Sequence, residues 1–566
     1  MSSSLETQAF EMLQSFDSHS LAAVGSGLFM VLFLHRFPQR GDSSVAAVLL
    51  AVVAGAVYGK YVLELSLLSS ALTSLSFFAY HALTVVTVTV LYRLSPIHPL
   101  YKFPGPLINR ITSLKLAHMV WTGKRHIVIP ALHEKYGVHV RTGPNTLSIN
   151  SYSAIAPIYA SSTAYPKSNA YTPGRMHGDG LFFIQGIDEH NARRRLWAPA
   201  FMPNVVAGWK VLVEKRVWDL LACIQRRGEG VPYGTINLSD AIQHWSYDVM
   251  GDITYGGAAS LDLMNTGDPE GYVSGGQVTT VVFEVLGEVP SLFDLIWYLP
   301  VTRVVRRMEK FAQDLIDARQ HGLVGRNDDI ASFLLGEHED KKPEPLSRDT
   351  LRVESLFGIQ AGSDTTSGVL TFAFYHLLTN PDQYGRLRDE LDAAFPDYHD
   401  TDDTALSLDA LNALPYLSAC VDECLRLGTP FPGLPRVVPD SGAMLAEKFV
   451  PGGTIVAVNP WAQMTSPENF SPQPHAFRPE RWLPGGLGPG TVTRRGAIMS
   501  FSYGSFSCLG RALAIQEMRY VLSHLILKYD WKVSPEWDRK KFEDGITNMR
   551  TSIFEYPLLA VATPRK

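Results

Sequence analysis

The sequence predicts a mainly α-helical domain with small β-sheets, preceded by N-terminal transmembrane helices. Three observations predict it. The first 94 residues contain three long uncharged runs, apolar residues at helical spacing dominate the remaining chain, and only short β-branched stretches interrupt that pattern.

The uncharged runs are Ser18–His35, Ser43–Gly59 and Leu65–Tyr92. A spanning helix needs about 20 apolar residues, so the third run passes and the first two fall slightly short. Glu6, Glu11 and Asp17 make the start acidic, unlike the basic start of a secretory signal. Arg36 and Arg40 follow the first run, and Arg93, Lys102, Arg110 and Lys115 follow the third, whereas only Lys60 separates the second from the third. The positive-inside rule then puts the main domain in the cytosol. In Ser95–Pro106, SPIHPLYKFPGP, prolines forbid helix and stiffen the chain. The expected division is an anchor over 1–94, a hinge over 95–106 and a globular domain over 107–566.

Within that domain Val138–Ile149 reads as a hairpin around the turn GPN, and Arg436–Val438 and Thr454–Val458 read as short strands. Ser363–Phe395 and Leu408–Leu427 carry the clearest helical periodicity. Glycine-rich Asn265–Gly276 and charged Gly336–Ser347 read as loops. A net charge of −5 gives no basic excess for nucleic acid. Four scattered cysteines, Cys223, Cys420, Cys424 and Cys508, make no disulfide framework and suit a reducing compartment. Cys420 and Cys424 lie one helical turn apart without a second ligand pair, which favours small buried residues over a metal pair.

Three motifs carry chemistry. In FSYGSFSCLG, Phe501–Gly510, Cys508 stands between Gly504 and Gly510 just before a helical pattern over Leu509–Tyr529. Glycines let a flat ligand approach the backbone, and a helix N-terminus stabilises a thiolate. Such a thiolate suits an iron ligand; the competing role is a nucleophile, for which no histidine is placed nearby in sequence. In AGSDTT, Ala361–Thr366, Gly362 interrupts a helix at a cost of about 1 kcal/mol. Ser363 or Asp364 could be an N-cap; alternatively the helix opens beside a ligand, with Ala361 and Gly362 making room for a diatomic molecule, Thr365 offering a hydroxyl and Asp364 relaying protons from solvent. The third motif is Glu423 and Arg426, which with Arg481 of FRPERW could form a partly buried Glu–Arg–Arg network that locks the irregular region beneath the cysteine loop.

In this order the motifs resemble those of the cytochrome P450 family, specifically its membrane-bound fungal members, from about Pro104 to Pro557. Phe501, Gly504, Cys508 and Gly510 match Phe-x-x-Gly-x-Arg-x-Cys-x-Gly, and Ala361, Gly362, Asp364, Thr365 and Thr366 match Ala-Gly-x-Asp-Thr-Thr. The resemblance implies a triangular helical prism around haem b, with Cys508 as the axial iron ligand, Thr365 and Asp364 in oxygen activation, and Glu423, Arg426 and Arg481 as a structural triad. It also implies that Arg436, His190 and Arg194 meet the haem propionates; Arg193 and Arg195 remain a solvated run or a surface for an acidic redox partner. Phe506 departs from the family's arginine, so one propionate contact is missing and the load passes to Arg436, Arg194 and His190. Phe182, Phe183, Phe357, Gln360, Phe431 to Leu434 and Ile553 would line the substrate pocket, mainly apolar and suited to a lipophilic molecule.

The activity this implies is insertion of one oxygen atom from O2 at the endoplasmic reticulum membrane, in fungal secondary metabolism with a terpenoid as first substrate. NADPH would supply electrons through NADPH–cytochrome P450 reductase, with cytochrome b5 as a second donor. GGLGPG, Gly485–Gly490, has no preceding strand and is no nucleotide loop. Rival readings are an O2-independent haem-thiolate isomerase or dehydratase, which has no need of the relay at Asp364 and Thr365, and a membrane haem sensor. Two sequons, Asn237 and Asn469, fall in the domain assigned to the cytosol and are expected to be unmodified.

Overall fold

The computed structural model describes residues 18–37, 39–160, 165–175, 179–256, 261–321, 328–338, 346–398, 406–429, 431, 433–548 and 551–565. The acidic stretch with Glu6, Glu11 and Asp17, most of the loop expected at Gly336–Ser347, and Pro432 lie outside them. The chain divides into two compact units.

The first unit carries helices α1 (Ser18–Arg36), α2 (Gly41–Tyr61) and α3 (Leu67–Leu94), each long and apolar enough to cross a bilayer. The second run, short by its uncharged residues alone, becomes a 21-residue helix because charged Asp42 and Lys60 are absorbed at its ends. Small residues let α3 approach both others, as apolar surfaces in lipid require. A Cβ on Gly27 would stand 2.8 Å from Thr84, and one on Gly55 2.7 Å from the Ser74 hydroxyl. Ser74 donates to the Val52 carbonyl at 2.7 Å.

Strands β1 (His139–Gly143) and β2 (Thr146–Ile149) flank the expected turn, and in the second unit the Asn150 amide donates to the Val138 carbonyl at 2.8 Å. Helices α4 (Ile187–Trp197), α5 (Leu238–Tyr255), α6 (Tyr272–Gly287), α7 (Arg303–Gln320) and α8 (Arg348–Thr379) come after them. Next come α9 (Pro415–Leu427), strands β3 (Arg436–Val437) and β4 (Ile455–Ala457), α10 (Arg511–Lys528), and the hairpin of β5 (Ile546–Asn548) and β6 (Ser552–Phe554). β4 pairs parallel with β2 and antiparallel with β3, opposing Arg436 to Val456. The core is continuous across helices: Trp245, Phe374, Leu417 and Leu525 are all fully buried.

Prolines cut the predicted helices. The expected Ser363–Phe395 pattern ends at Asn380 before Pro381, and Leu408–Leu427 breaks at extended Leu414 before Pro415. At its other end α8 starts on Ser347, whose hydroxyl accepts the Thr350 amide at 3.1 Å, so Ser363 and Asp364 are interior residues rather than caps.

Two glycine readings change. α8 is continuous through Gly362 and does not open there. Gly362 instead admits α5, because a Cβ would stand 2.5 Å from the Met250 sulfur; Ser363 and Ser246 exchange hydroxyl-to-carbonyl bonds beside it. The loop expected at Asn265–Gly276 turns helical from Tyr272, because Gly275 and Gly276 serve packing. A Cβ on Gly276 would lie 2.7 Å from the Tyr247 hydroxyl, and one on Gly275 3.3 Å from Val304 and Met308.

Glu423 holds the irregular segment before α10. Its carboxylate accepts from Arg426 Nη2 at 2.7 Å and Nε at 2.8 Å, Arg481 Nε at 3.1 Å, the Arg478 amide at 2.9 Å and Trp482 Nε1 at 3.0 Å. Burial pushes its pKa up, but Arg426 and Arg481 outweigh that and hold it below the usual carboxylate range. Both guanidiniums also donate to carbonyls, Arg426 to Met464 at 2.6 Å and Arg481 to Gln473 at 2.9 Å. Removing one member strands buried charge, so Glu423→Ala should cost about 3–5 kcal/mol of unfolding free energy. Asp422→Ala, which loses an exposed pair with Arg495 and no buried one, should cost about 0.5 kcal/mol or less. Denaturation midpoints of the full-length chains measure both.

Candidate active site

One cavity in the second unit brings together most of the residues expected to meet a cofactor or substrate. The face of α8 supplies Phe357, Gln360, Ala361, Gly362, Asp364 and Thr365; α4 supplies His190 and Arg194; the cysteine loop supplies Phe501, Cys508 and Gly510. Arg436, Phe182, Phe183, Phe431 and Leu434 line it as well. Gly504 and Ile553 are not among the lining residues. Gly504 is spent on the loop's backbone: its φ is +59°, and a Cβ would stand 2.7 Å from the Tyr159 carbonyl. Ile553 lies in the β5–β6 ladder opposite Thr547, while Thr551, just before β6, reaches the cavity and donates to the Asp364 carbonyl at 3.0 Å.

The cysteine loop is pinned from both sides. The Cys508 amide donates to the Phe501 carbonyl at 2.8 Å, and the Ser500 hydroxyl to the Leu425 carbonyl of α9 at 2.6 Å. Gly510 has an ordinary φ of −77°, so its value is the missing side chain: a Cβ would lie 3.9 Å from Cys508 Sγ at the cavity floor. Cys508 is exposed to the cavity yet lies deep in the protein. Burial pushes its thiol up, against the Gly510 amide and the charges of Arg194 and Arg511. The other three cysteines are buried, and desolvation pushes their thiols up as well.

On α8 the Thr365 hydroxyl donates to the Ala361 carbonyl at 2.8 Å and keeps its lone pairs for the cavity. The Asp364 carboxyl does not meet solvent as expected; it is turned toward α5, where Tyr247 donates to Oδ1 at 3.0 Å and Oδ2 is buried without a hydrogen-bond partner. Burial raises its pKa to about 6, against the Tyr247 hydrogen bond and the nearby amides of Gln360 and Gln243. A second buried acid had no motif to reveal it. Glu517 of α10 lines the same cavity; burial pushes its pKa to about 8, opposed by a hydrogen bond with Thr366. Its only sequence signal is a carboxylate in an otherwise apolar helical stretch.

The basic residues divide. Arg436 is 2% exposed, its Nη1 donating to the Tyr171 hydroxyl at 3.3 Å and its Nε having no hydrogen-bond partner. Arg194 donates to the Ser507 carbonyl at 2.6 Å, beside Cys508. Burial, then Lys167 and Arg194, depress the pKa of His190 to about 3, and its Nδ1 is buried without a hydrogen-bond partner. Arg193 is not part of a solvated run, since it forms a 2.6 Å ion pair with fully buried Glu354; Arg195 is exposed. Lys167, missed in the sequence, lines the cavity beside Arg436.

These residues fit an iron porphyrin. A thiol opens on a floor left bare by Gly510, orphaned buried nitrogens on Arg436 and His190 await acceptors, and an iron cation would deprotonate the thiol that burial alone keeps protonated. Above them the wall is aromatic, with Phe182 stacked on Phe357 at 5.0 Å and edge-on to Phe183 at 5.2 Å.

The model of the family described as Cytochrome P450 matches residues 103–554. The chain is 30% identical over 463 residues to "Cytochrome P450 monooxygenase AKT7" of Alternaria alternata, covering 79% of this chain and 87% of that one. It is 31% identical over 468 residues to "Cytochrome P450 monooxygenase stcF" of Emericella nidulans, covering 81% and 92%. It is 30% identical over 470 residues to "Tryprostatin B 6-hydroxylase" of Neosartorya fischeri, covering 81% and 80%. The class is that of the haem-thiolate oxidoreductases, and within it the chain belongs to the cytochrome P450 family.

The raised pKa of Glu517 has a consequence for stability. Between the ordinary carboxylate value near 4.3 and about 8 the folded chain keeps a proton that the unfolded chain releases, so stability falls as pH rises through that window. Asp364, at about 6, completes its own share lower down. Glu517→Gln should therefore flatten the loss of stability between about pH 6 and about pH 8, where one proton is worth about 1.4 kcal/mol per pH unit. Denaturation midpoints of both chains across that range measure it.

Proposed function

We propose that the chain is a membrane-anchored monooxygenase that takes electrons from NADPH through a separate flavoprotein reductase and inserts one oxygen atom from O2 into a lipophilic small molecule of fungal secondary metabolism, with terpenoids as the first substrates to try. The observation that carries this reading is the opening of Cys508, Thr365 and Asp364 onto one largely apolar cavity. Haem held through Cys508 would supply the reduction and cleavage of O2, the thiolate favouring that cleavage.

The chain's own residues do the rest. Arg436 and Arg194 would donate to the carboxylates of the haem, with neutral His190 as a hydrogen-bond donor. Thr365 would hold a hydroxyl at the cavity face of α8. Asp364, at about 6, is poised to gain and lose a proton near neutrality, and Tyr247 fixes the orientation of its carboxyl. Phe182, Phe183 and Phe357 exclude water and offer flat apolar surface to the substrate. Helices α1, α2 and α3 support an endoplasmic reticulum anchor, with the domain on the cytosolic side.

Two outcomes are expected. With reductase and an accepted substrate, Thr365→Ala should go on consuming NADPH while product per NADPH falls about tenfold or more. Unchanged coupling would remove Thr365 from oxygen activation. For orientation, Asn237 is the informative sequon. It is exposed, whereas Asn469 is 1% exposed with its amide nitrogen donating to Gln463, leaving no room for a sugar. Glycosidase treatment should not shift the chain, and a glycan at Asn237 would reverse the topology.

A further inference from the structure

Toward the start of α8 the cavity lining changes character. Past Phe357 it takes Leu356, Val353 and Arg352 from α8, and Val305 and Glu309 from α7. Arg352 stands outside every motif and has more donors than its neighbours use. Its Nη2 lies 3.4 Å from Asp349 and 4.0 Å from Glu309, near enough to balance charge, yet Nε and Nη2 are both buried without a hydrogen-bond partner. A buried N–H left unmade is costly, and a guanidinium presents its donors as a rigid fork. Such a group calls for an acceptor oxygen.

The charges around it say which kind. Two carboxylates within 4.0 Å already answer the guanidinium, so an anionic ligand would add a third negative charge to the same corner. A carbonyl oxygen accepts the same hydrogen bonds and brings no charge. Gln360, the polar residue expected to meet substrate, is otherwise engaged: its Nε2 donates to the Gly276 carbonyl at 2.8 Å and the Thr280 hydroxyl at 3.0 Å, tying α8 to α6.

We infer that Arg352 reads the substrate, and that the substrate is an elongated, uncharged lipophile with a carbonyl oxygen at the end held by Arg352 and its oxidised carbon near Thr365. The inference rests on the monooxygenase reading for the reacting end and names the substrate class of that same cavity. Length follows from the helix: at about 1.5 Å per residue, the thirteen residues from Arg352 to Thr365 span about 20 Å of α8. Phe357, Leu356 and Val353 line the stretch between, so the body of the molecule is apolar. Burying that body supplies affinity in proportion to area and no direction. One hydrogen bond at the far end decides which terminus faces Thr365.

The test titrates the purified full-length ferric holoprotein with three probes of one shape and reads the optical shift of its haem. They are farnesylacetone, farnesylacetic acid, and the hydrocarbon in which a methylene group replaces the ketone oxygen. The ketone should bind about tenfold or more tighter than the acid and the hydrocarbon, as a hydrogen bond to a charged donor implies. Arg352→Met should bring the ketone down to the hydrocarbon's affinity and leave the hydrocarbon within about twofold of the parent. If Arg352→Met does not accumulate, Arg352→Lys, which keeps the charge beside Glu309 and loses the fork, decides in its place: the ketone should still weaken and the hydrocarbon should not. Equal binding of ketone and hydrocarbon by the parent overturns the inference, as does tightest binding of the acid or no shift with any probe. A variant that weakens ketone and hydrocarbon alike overturns it too, because Arg352 then only shapes the wall. Nothing is turned over in these titrations, so their failure leaves the monooxygenase reading standing, and a probe that shifts the spectrum without yielding oxidised product strikes only that reading.

Discussion

A carboxylate with no access to water organises the catalytic half of this protein. Glu423 can remain ionised at 0% exposure only because two guanidiniums, an indole N–H and a backbone amide converge on it. Each guanidinium has donors left over, and those are satisfied by carbonyls of the segment around Met464 to Ala476. A stretch with little regular structure thereby acquires fixed coordinates from side-chain bonding. The neighbouring α9 carbonyl of Leu425 receives Ser500, so the same helix that carries Glu423 also fixes the start of the cysteine loop. The position of a reactive sulfur thus depends on electrostatics that never touch it.

The cavity applies the opposite rule. Around Glu423, cations and carboxylate are matched within the protein; on the cavity wall, Arg436 and His190 keep buried nitrogens without a hydrogen-bond partner. Burial first, then Lys167, Arg194 and Arg436, hold the His190 pKa down, and buried nitrogens of His190 and Arg436 have no hydrogen-bond partner. A structural network closes on itself, whereas a binding site leaves its charge to be completed by a ligand. The difference separates the two groups of basic residues without reference to any relative, and it moves Arg193 to the structural side, where buried Glu354 already answers it.

How much of this the sequence could show depended on the range of the forces involved. Helices, membrane spans and the three motifs were legible because periodicity and local spacing are properties of neighbours in the chain. Helix ends at Asn380 and Leu414 were legible in principle, since each precedes a proline. Gly362, Gly275 and Gly276 were misread because a glycine that breaks a helix and one that lets another helix approach look the same from the chain alone. Only the facing atoms, Met250 sulfur, Met308 and the Tyr247 hydroxyl, tell them apart. Lys167 and Glu517 were invisible for a related reason. Lys167 sits in YPKSNAY, far from every motif, and becomes notable only when a β-bridge sets it against Arg436. Glu517 resembles any helix carboxylate until the fold buries it.

The two buried acids then divide the pH scale. Asp364 and Glu517 both line the cavity, yet α5 provides Tyr247 and Gln243 to the first, while the hydrogen bond opposing burial of the second comes from Thr366 alone. More donors stabilise the ionised form, so Asp364 titrates near 6 and Glu517 near 8. At neutral pH one is mostly ionised and the other mostly protonated. They stand beside consecutive threonines of α8: Asp364 is the residue before Thr365, and Glu517 is bonded to Thr366. A proton acceptor and a proton donor therefore flank one turn of helix at the wall where Thr365 meets the cavity. Because burial rather than sequence identity sets the order of the two pKa values, loosening the α5–α8 contact at Gly362 would bring Asp364 water and lower its pKa, while Glu517, held by α10, would keep its proton.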